Sequence, residues 1–193
     1  MQADPNRPPD DKRLQELILF IASRSRDDER FGSIKLNKLL FYSDFLAYVK
    51  LGRSITGHEY QKLDHGPAPR RMLPILKEMV GAHDLAIEKR DYYGRIQNLP
   101  IALRPAKVSV FTAEEMAVIT EVIESLGRKN SKGISSLSHE FSGWKNAEDG
   151  DTVPYQVALV QFRKPRKKDI QKALDMREDL ATLRRECLSS DAD

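Results

Sequence analysis

The side chains best suited to hold a metal or act as a nucleophile are few: the histidines are His58, His65, His83 and His139, and Cys187 is the one cysteine. No two histidines fall at the i, i+4 spacing of the HExxH zinc motif. A metal site assembled in space would draw first on His58 and His65 with Glu59 or Asp64. A simpler reading makes His65 a turn residue whose ring bonds locally, and makes His139 with Glu140 a helix-surface pair or a buried hydrogen-bonded contact. One cysteine allows no internal disulfide and no cysteine-based zinc site. The chain has no nucleophile elbow, no phosphate-cradling glycine loop and no CxxC. The expectation is a protein without catalytic residues, cofactor or bound metal, whose product is a complex.

The cations offer a second kind of chemistry. Lys89, Arg90, Arg95 and Arg104 decorate a predicted hairpin in which Leu85, Ile87, Ile101 and Leu103 lie either side of Asp91-Tyr-Tyr-Gly94. A further cluster, Arg163, Lys164, Arg166, Lys167 and Lys168, follows later in the chain. A basic hairpin after a helix has the outline of a winged-helix wing, which can rest on phosphates. Against this, antiparallel hairpins with one solvated face routinely alternate apolar and charged residues. The preceding helix also offers only Arg70 and Arg71 toward base edges. A net charge of +3 does not by itself argue for nucleic acid. DNA binding is therefore the alternative function, and the same cations are equally candidate contacts for a protein partner.

The elements that must position these residues follow from periodicity. Ile34 to Leu51 is apolar over most of its circumference, with Leu36, Leu39, Leu40 and Ala47 on one side and Phe41, Phe45, Tyr48 and Val49 on another. Such a helix belongs at the centre of a core, capped by Ser33 and stopped by Gly52. Arg53 to Leu63 reads as a strand, and Asp64-His-Gly-Pro67 as a tight turn into a helix whose first turn holds Pro69. Pro74 would kink that helix if it began so early. Upstream, residues 1–10 read as a flexible tail. Asp10 or Asp11 caps a helix with one apolar stripe, Leu14, Leu17, Ile18 and Ile21, and Arg24 to Arg30 is a solvated charged connection. Downstream, Thr112-Ala-Glu-Glu115 is a capping box for a helix buried through Met116, Ile119, Val122, Ile123 and Leu126. Ile134 to Trp144 reads as a short helix, Asn146 to Thr152 as a polar loop, and Tyr155 to Phe162 as a closing helix or strand.

The fold class expected is α+β, predominantly helical: a compact helical domain around a buried central helix, with a small antiparallel β-hairpin or sheet and a C-terminal helical extension. The domain is placed at residues 11–162, and a basic linker with an amphipathic helix at 163–193. That last helix carries an apolar seam through Ile170, Ala173, Met176, Leu180, Leu183 and Cys187. It has three uses open to it: packing back on the domain, pairing with its copy in a homodimer, or receiving a partner. No run reaches the roughly 20 apolar residues of a membrane span, and the N-terminus lacks the regions of a secretory signal. A cytoplasmic protein without membrane contact is expected.

The order of several short motifs adds to this. Lys35, Leu36, Lys38, Leu39, Leu40 and Tyr42, then Gly52, Arg53 and Gly57, then Tyr60, then His65, Gly66 and Pro67 resemble the Panacea domain, or SocA-like antitoxin domain. The similarity continues through Ser138-His-Glu140, Trp144 and Val153 to Ala158, covering roughly Leu14 to Phe162. The resemblance implies an antitoxin of a bacterial or phage toxin–antitoxin system. Its partner would be a toxin encoded by a neighbouring gene and neutralised by direct binding, with the quoted motif residues serving mainly as scaffold.

Overall fold

The computed structural model describes residues 4, 6–127 and 148–162. Its centre is α2 (Ser33–Leu51), buried on nearly every side: Leu36, Leu39, Leu40, Phe45 and Ala47 are wholly enclosed, with Phe41 close behind. An apolar circumference can be satisfied only by surrounding the helix. The first helix, α1 (Asp11–Arg24), packs on α2 and beside the hairpin. A longer helix, α4 (Ala113–Gly127), packs on α2 as well, and the short α5 (Val157–Phe162) also contacts it.

Helix ends follow local chemistry, with one departure. Asp10 is the N-cap of α1, its carboxylate accepting the Arg13 N–H at 3.0 Å. The Thr112–Glu115 capping box forms in both directions: the Glu115 N–H donates to the Thr112 hydroxyl, and the Thr112 N–H to Glu115 Oε2 at 2.9 Å. Ser33, in contrast, is not the cap of α2. Gly32 occupies that position in an extended conformation, and the Ser33 hydroxyl donates instead to the Asn98 carbonyl of the hairpin at 3.1 Å. Gly52 ends α2 at φ +74°, with its N–H on the Tyr48 carbonyl.

The predicted strand over Arg53 to Leu63 shrinks to β1 (Tyr60–Gln61), flanked by β2 (Ala68–Pro69) and β5 (Thr152–Val153) in the order β2-β1-β5, both pairs antiparallel. The reason is local. The N–H groups of Ile55 and Thr56 donate to a side chain of α2, so they cannot enter a ladder. Pro69 lies in edge strand β2 rather than in a helix, where its missing N–H costs nothing. The helix α3 begins at Met72 and ends at Gly81, so Pro74 sits in the first turn and causes no kink. The chain then enters a long hairpin, β3 (Leu85–Tyr92) and β4 (Arg95–Ala102), paired from Leu85↔Ala102 to Tyr92↔Arg95. A single turn of 3-10 helix, Val108–Val110, leads to α4.

Residues predicted to form a loose tail are instead laid against the domain. The Asp4 carboxylate accepts the N–H groups of Asn6 and Ser54, the Asn6 amide donates to the Gly52 carbonyl, and the Asp10 N–H bonds the Thr56 carbonyl. The expected helix from Ile134 to Trp144 and everything from Arg163 onward lie outside the described residues.

Candidate functional site

The polar residues inside the core form a hydrogen-bonded constellation. Asp44, on α2, is wholly buried. Its Oδ1 accepts the Ile55 N–H at 2.7 Å and the Thr56 N–H at 2.8 Å. Its Oδ2 accepts the Thr56 hydroxyl at 2.5 Å and the Tyr60 hydroxyl at 2.8 Å. Burial pushes the Asp44 carboxyl up, opposed by these four bonds, and raises Tyr60 far above the usual phenol range, helped by the neighbouring Asp44 charge. The two N–H groups can only donate, while the two hydroxyls can donate to a carboxylate or accept from a carboxyl, so the cage accommodates either form. Tyr155, stacked on Phe45 at 4.5 Å, closes the set by donating from its hydroxyl to the His58 carbonyl at 2.6 Å. Sealed at 1% exposure or less, Asp44, Tyr60 and Tyr155 are out of reach of any substrate. They hold the Ser54–Gly57 loop against α2.

A second buried acid ties the N-terminal arm down. Glu115, at the start of α4, receives Arg7 on Oε1 at 2.7 Å and Arg13 on Oε2 at 2.6 Å. Arg7 and Arg13 also both donate to the Ile55 carbonyl, so the arm, α1, α4 and the Ser54–Gly57 loop meet there. Gly57 is required at this junction twice over: its φ is +75°, and a Cβ would stand 2.4 Å from the Pro8 carbonyl oxygen.

The motif lysines are equally enclosed. Lys35 pairs with Asp28 and donates to the Gly127 carbonyl at 2.6 Å, placing a cation on the C-terminal end of α4, where the helix dipole favours one. Lys38 is fully buried, and burial lowers its ammonium to about 8. Leu36, Leu39, Leu40 and Tyr42 are core residues, and Arg53 is exposed. The histidine-glycine-proline turn is where the motif meets solvent. His65 is exposed, while Gly66 (φ +121°) and Pro67 are buried. With Ile34, Asn37, Leu63, Asp64 and Asp149 they line a shallow groove of about 320 Å³.

The metal candidates separate. His58 is buried with Nε2 3.2 Å from Asp11, whose other oxygen takes Arg71 at 2.8 Å, while His65 faces the groove. Among the described residues no group of three or more His, Cys, Asp or Glu could hold a metal ion. Of the hairpin cations, Lys89 is exposed, Arg90 is drawn to the Glu29 carbonyl, and Arg95 pairs with Tyr92 at the last rung. Arg104 grips Glu16 and Asp84. The exposed side chains of α3 include Leu73 and Val80, which do not read bases. Arg163, Lys164, Arg166, Lys167 and Lys168 lie outside the described residues, as do His139 and Cys187.

The model of the "Antitoxin SocA-like, Panacea domain" family matches residues 36–145. The chain belongs to this family. The matched span runs from the first motif leucine of α2 through the Asp44-centred loop, the hairpin and α4 into the stretch after Gly127, while α1, β5 and α5 lie outside it. Its family is one of antitoxins, which makes a toxin the general partner class. No curated protein and no solved structure matches the chain. No helix among the described residues is long and apolar enough to cross a membrane.

Sequence reasoning missed Asp44, the Glu115 partners and the Glu16–Arg104–Asp84 cluster. The available signal for Asp44 was the one carboxylate in a helix apolar over most of its circumference, a place where an acid must be paired.

Proposed function

We propose that this chain is the antitoxin of a bacterial or phage toxin–antitoxin pair and neutralises the product of a neighbouring gene by binding it directly. The observation carrying this reading is that most of the motif residues are spent inside the domain. Lys35, Tyr60 and Gly57, with Asp44, hold α2, α4, the Ser54–Gly57 loop and the N-terminal arm together, and none of these four presents reactive groups to a substrate. A domain whose motif residues mainly build a scaffold leaves its outer surface to recognise the partner. Masking a toxin calls for an interface of about 1,600 Å² in total. The segment beyond Phe162 enters as a separate element, whose apolar seam serves self-association or a second contact.

The test is co-expression with the adjacent gene. The neighbour alone should arrest growth, the pair should not, and the two should copurify in a fixed ratio. A neighbour that is harmless alone and does not copurify removes the basis for the reading.

A further inference from the structure

The hairpin carries a feature that scaffold duty does not explain. Eight paired residues per strand make it roughly 26 Å long. The domain holds it along most of its length: Leu85 and Pro100 are buried, Gln97 donates to the Phe31 carbonyl at 3.0 Å, and its partner Arg90 reaches Glu29, so only the last two rungs and the turn lie beyond these contacts. Its tip carries two bare apolar side chains, Tyr93 at 91% exposure and Ile96 at 77%, beside the charged Asp91 and Arg95. The two turn residues, Tyr93 and Gly94, both have positive φ, +51° and +75°, the pattern of a two-residue type I′ turn. That turn favours Asn-Gly, and a tyrosine at its first position holds a backbone conformation that disfavours L side chains. The turn is nevertheless locked, since Asp91 Oδ1 accepts the Gly94 N–H at 2.9 Å and Tyr92 meets Tyr93 edge to face at 4.8 Å.

Strand alternation decides what this tip fits. Ile96 is opposite Asp91 and shares a face with Lys89, whereas Tyr92 lies on the other face and Tyr93 at the end. Apolar groups on both sides and on the crown cannot all be covered by a flat surface; a cleft covers them together. Phosphate backbone would gain nothing from Ile96 or Tyr93, and aromatic anchors seated in pockets are what dominate protein interfaces. We infer that the Tyr92–Ile96 tip is the anchor inserted into an apolar cleft of the toxin. This inference rests on the antitoxin reading.

The discriminating variant is Tyr93→Asn, because asparagine suits the turn and removes the ring. Full-length protein and the purified product of the adjacent gene would be titrated against each other, with thermal melts of each variant alone. Tyr93→Asn should melt at or above the wild-type temperature yet raise Kd at least tenfold. Ile96→Thr, which keeps strand propensity, should weaken binding in the same direction. A Kd within twofold of wild type for both variants overturns the anchor while leaving the antitoxin intact. A wild-type chain that does not bind the neighbour's product fails the antitoxin reading, and the anchor with it. Loss of a duplex-DNA shift in Tyr93→Asn, with toxin binding unchanged, assigns the tip to nucleic acid and also overturns the proposal.

Discussion

Asp44 and Thr56 are joined twice: one carboxylate oxygen accepts the Thr56 N–H at 2.8 Å and the other its hydroxyl at 2.5 Å. The pair pins a loop to the middle of the central helix with no water between. Replacing Asp44 by Ala leaves the buried Ile55 and Thr56 N–H groups without an acceptor. Asp44→Ala should therefore lower unfolding free energy by about 3 kcal/mol in urea titrations. A loss below about 0.5 kcal/mol would show that the cage contributes little.

Leu40→Ala tests the placement of the core. Leu40 is wholly enclosed in the main cluster, and the lost transfer energy and the cavity together should cost about 2 to 5 kcal/mol by chemical unfolding.

The arm and Gly57 are predicted to be coupled. In the full chain Gly57→Ala meets both positive φ and the Pro8 carbonyl, so it should cost more than the roughly 1 kcal/mol of backbone strain. With residues 1–9 deleted, the steric part disappears and the same substitution should cost about that strain alone. Equal costs in both backgrounds would mean that the arm does not lie on Gly57 in solution.

Acid should unfold this protein partly through Arg104. Its bonds to Asp84 hold that carboxyl below the ordinary 3.8. Burial alone would raise Glu16, but the Arg104 bonds and the Lys107 N–H outweigh it and hold Glu16 below 4.5. Both folded values lie under the unfolded ones, so this stabilisation is complete above about pH 5 and is lost as pH falls through the folded values. Urea midpoints of wild type should drop more steeply over that acid range than those of Arg104→Met.

On the alkaline side Lys38 sets the pH trend. Burial lowers it from 10.5 to about 8, so the unfolded chain holds the proton more tightly. Its contribution should make the protein more stable as pH rises from about 8 toward 10, a slope that Lys38→Met removes.

Hydrophobic spacing alone was enough to place α2 at the centre, because a helix apolar over most of its circumference has one solution, enclosure. Local chemistry was enough for the hairpin about Gly94, the Thr112–Glu115 capping box and the stop at Gly52, since each depends on residues within a few positions of one another. The predominantly helical α+β class follows from these. Tertiary structure decided the rest. The Ser54–Gly57 segment has β-branched residues suited to a strand, yet its N–H groups go to Asp44 on the preceding helix. The first ten residues look too polar and proline-rich to order themselves, yet Arg7 is held by Glu115, which lies across the domain. Ser33 looks like a cap but is drawn to Asn98. In each case a polar group chose a partner remote in sequence. Periodicity records which side chains avoid water, whereas the partner of a buried hydrogen-bonding group is known only when folding has brought the donors and acceptors together.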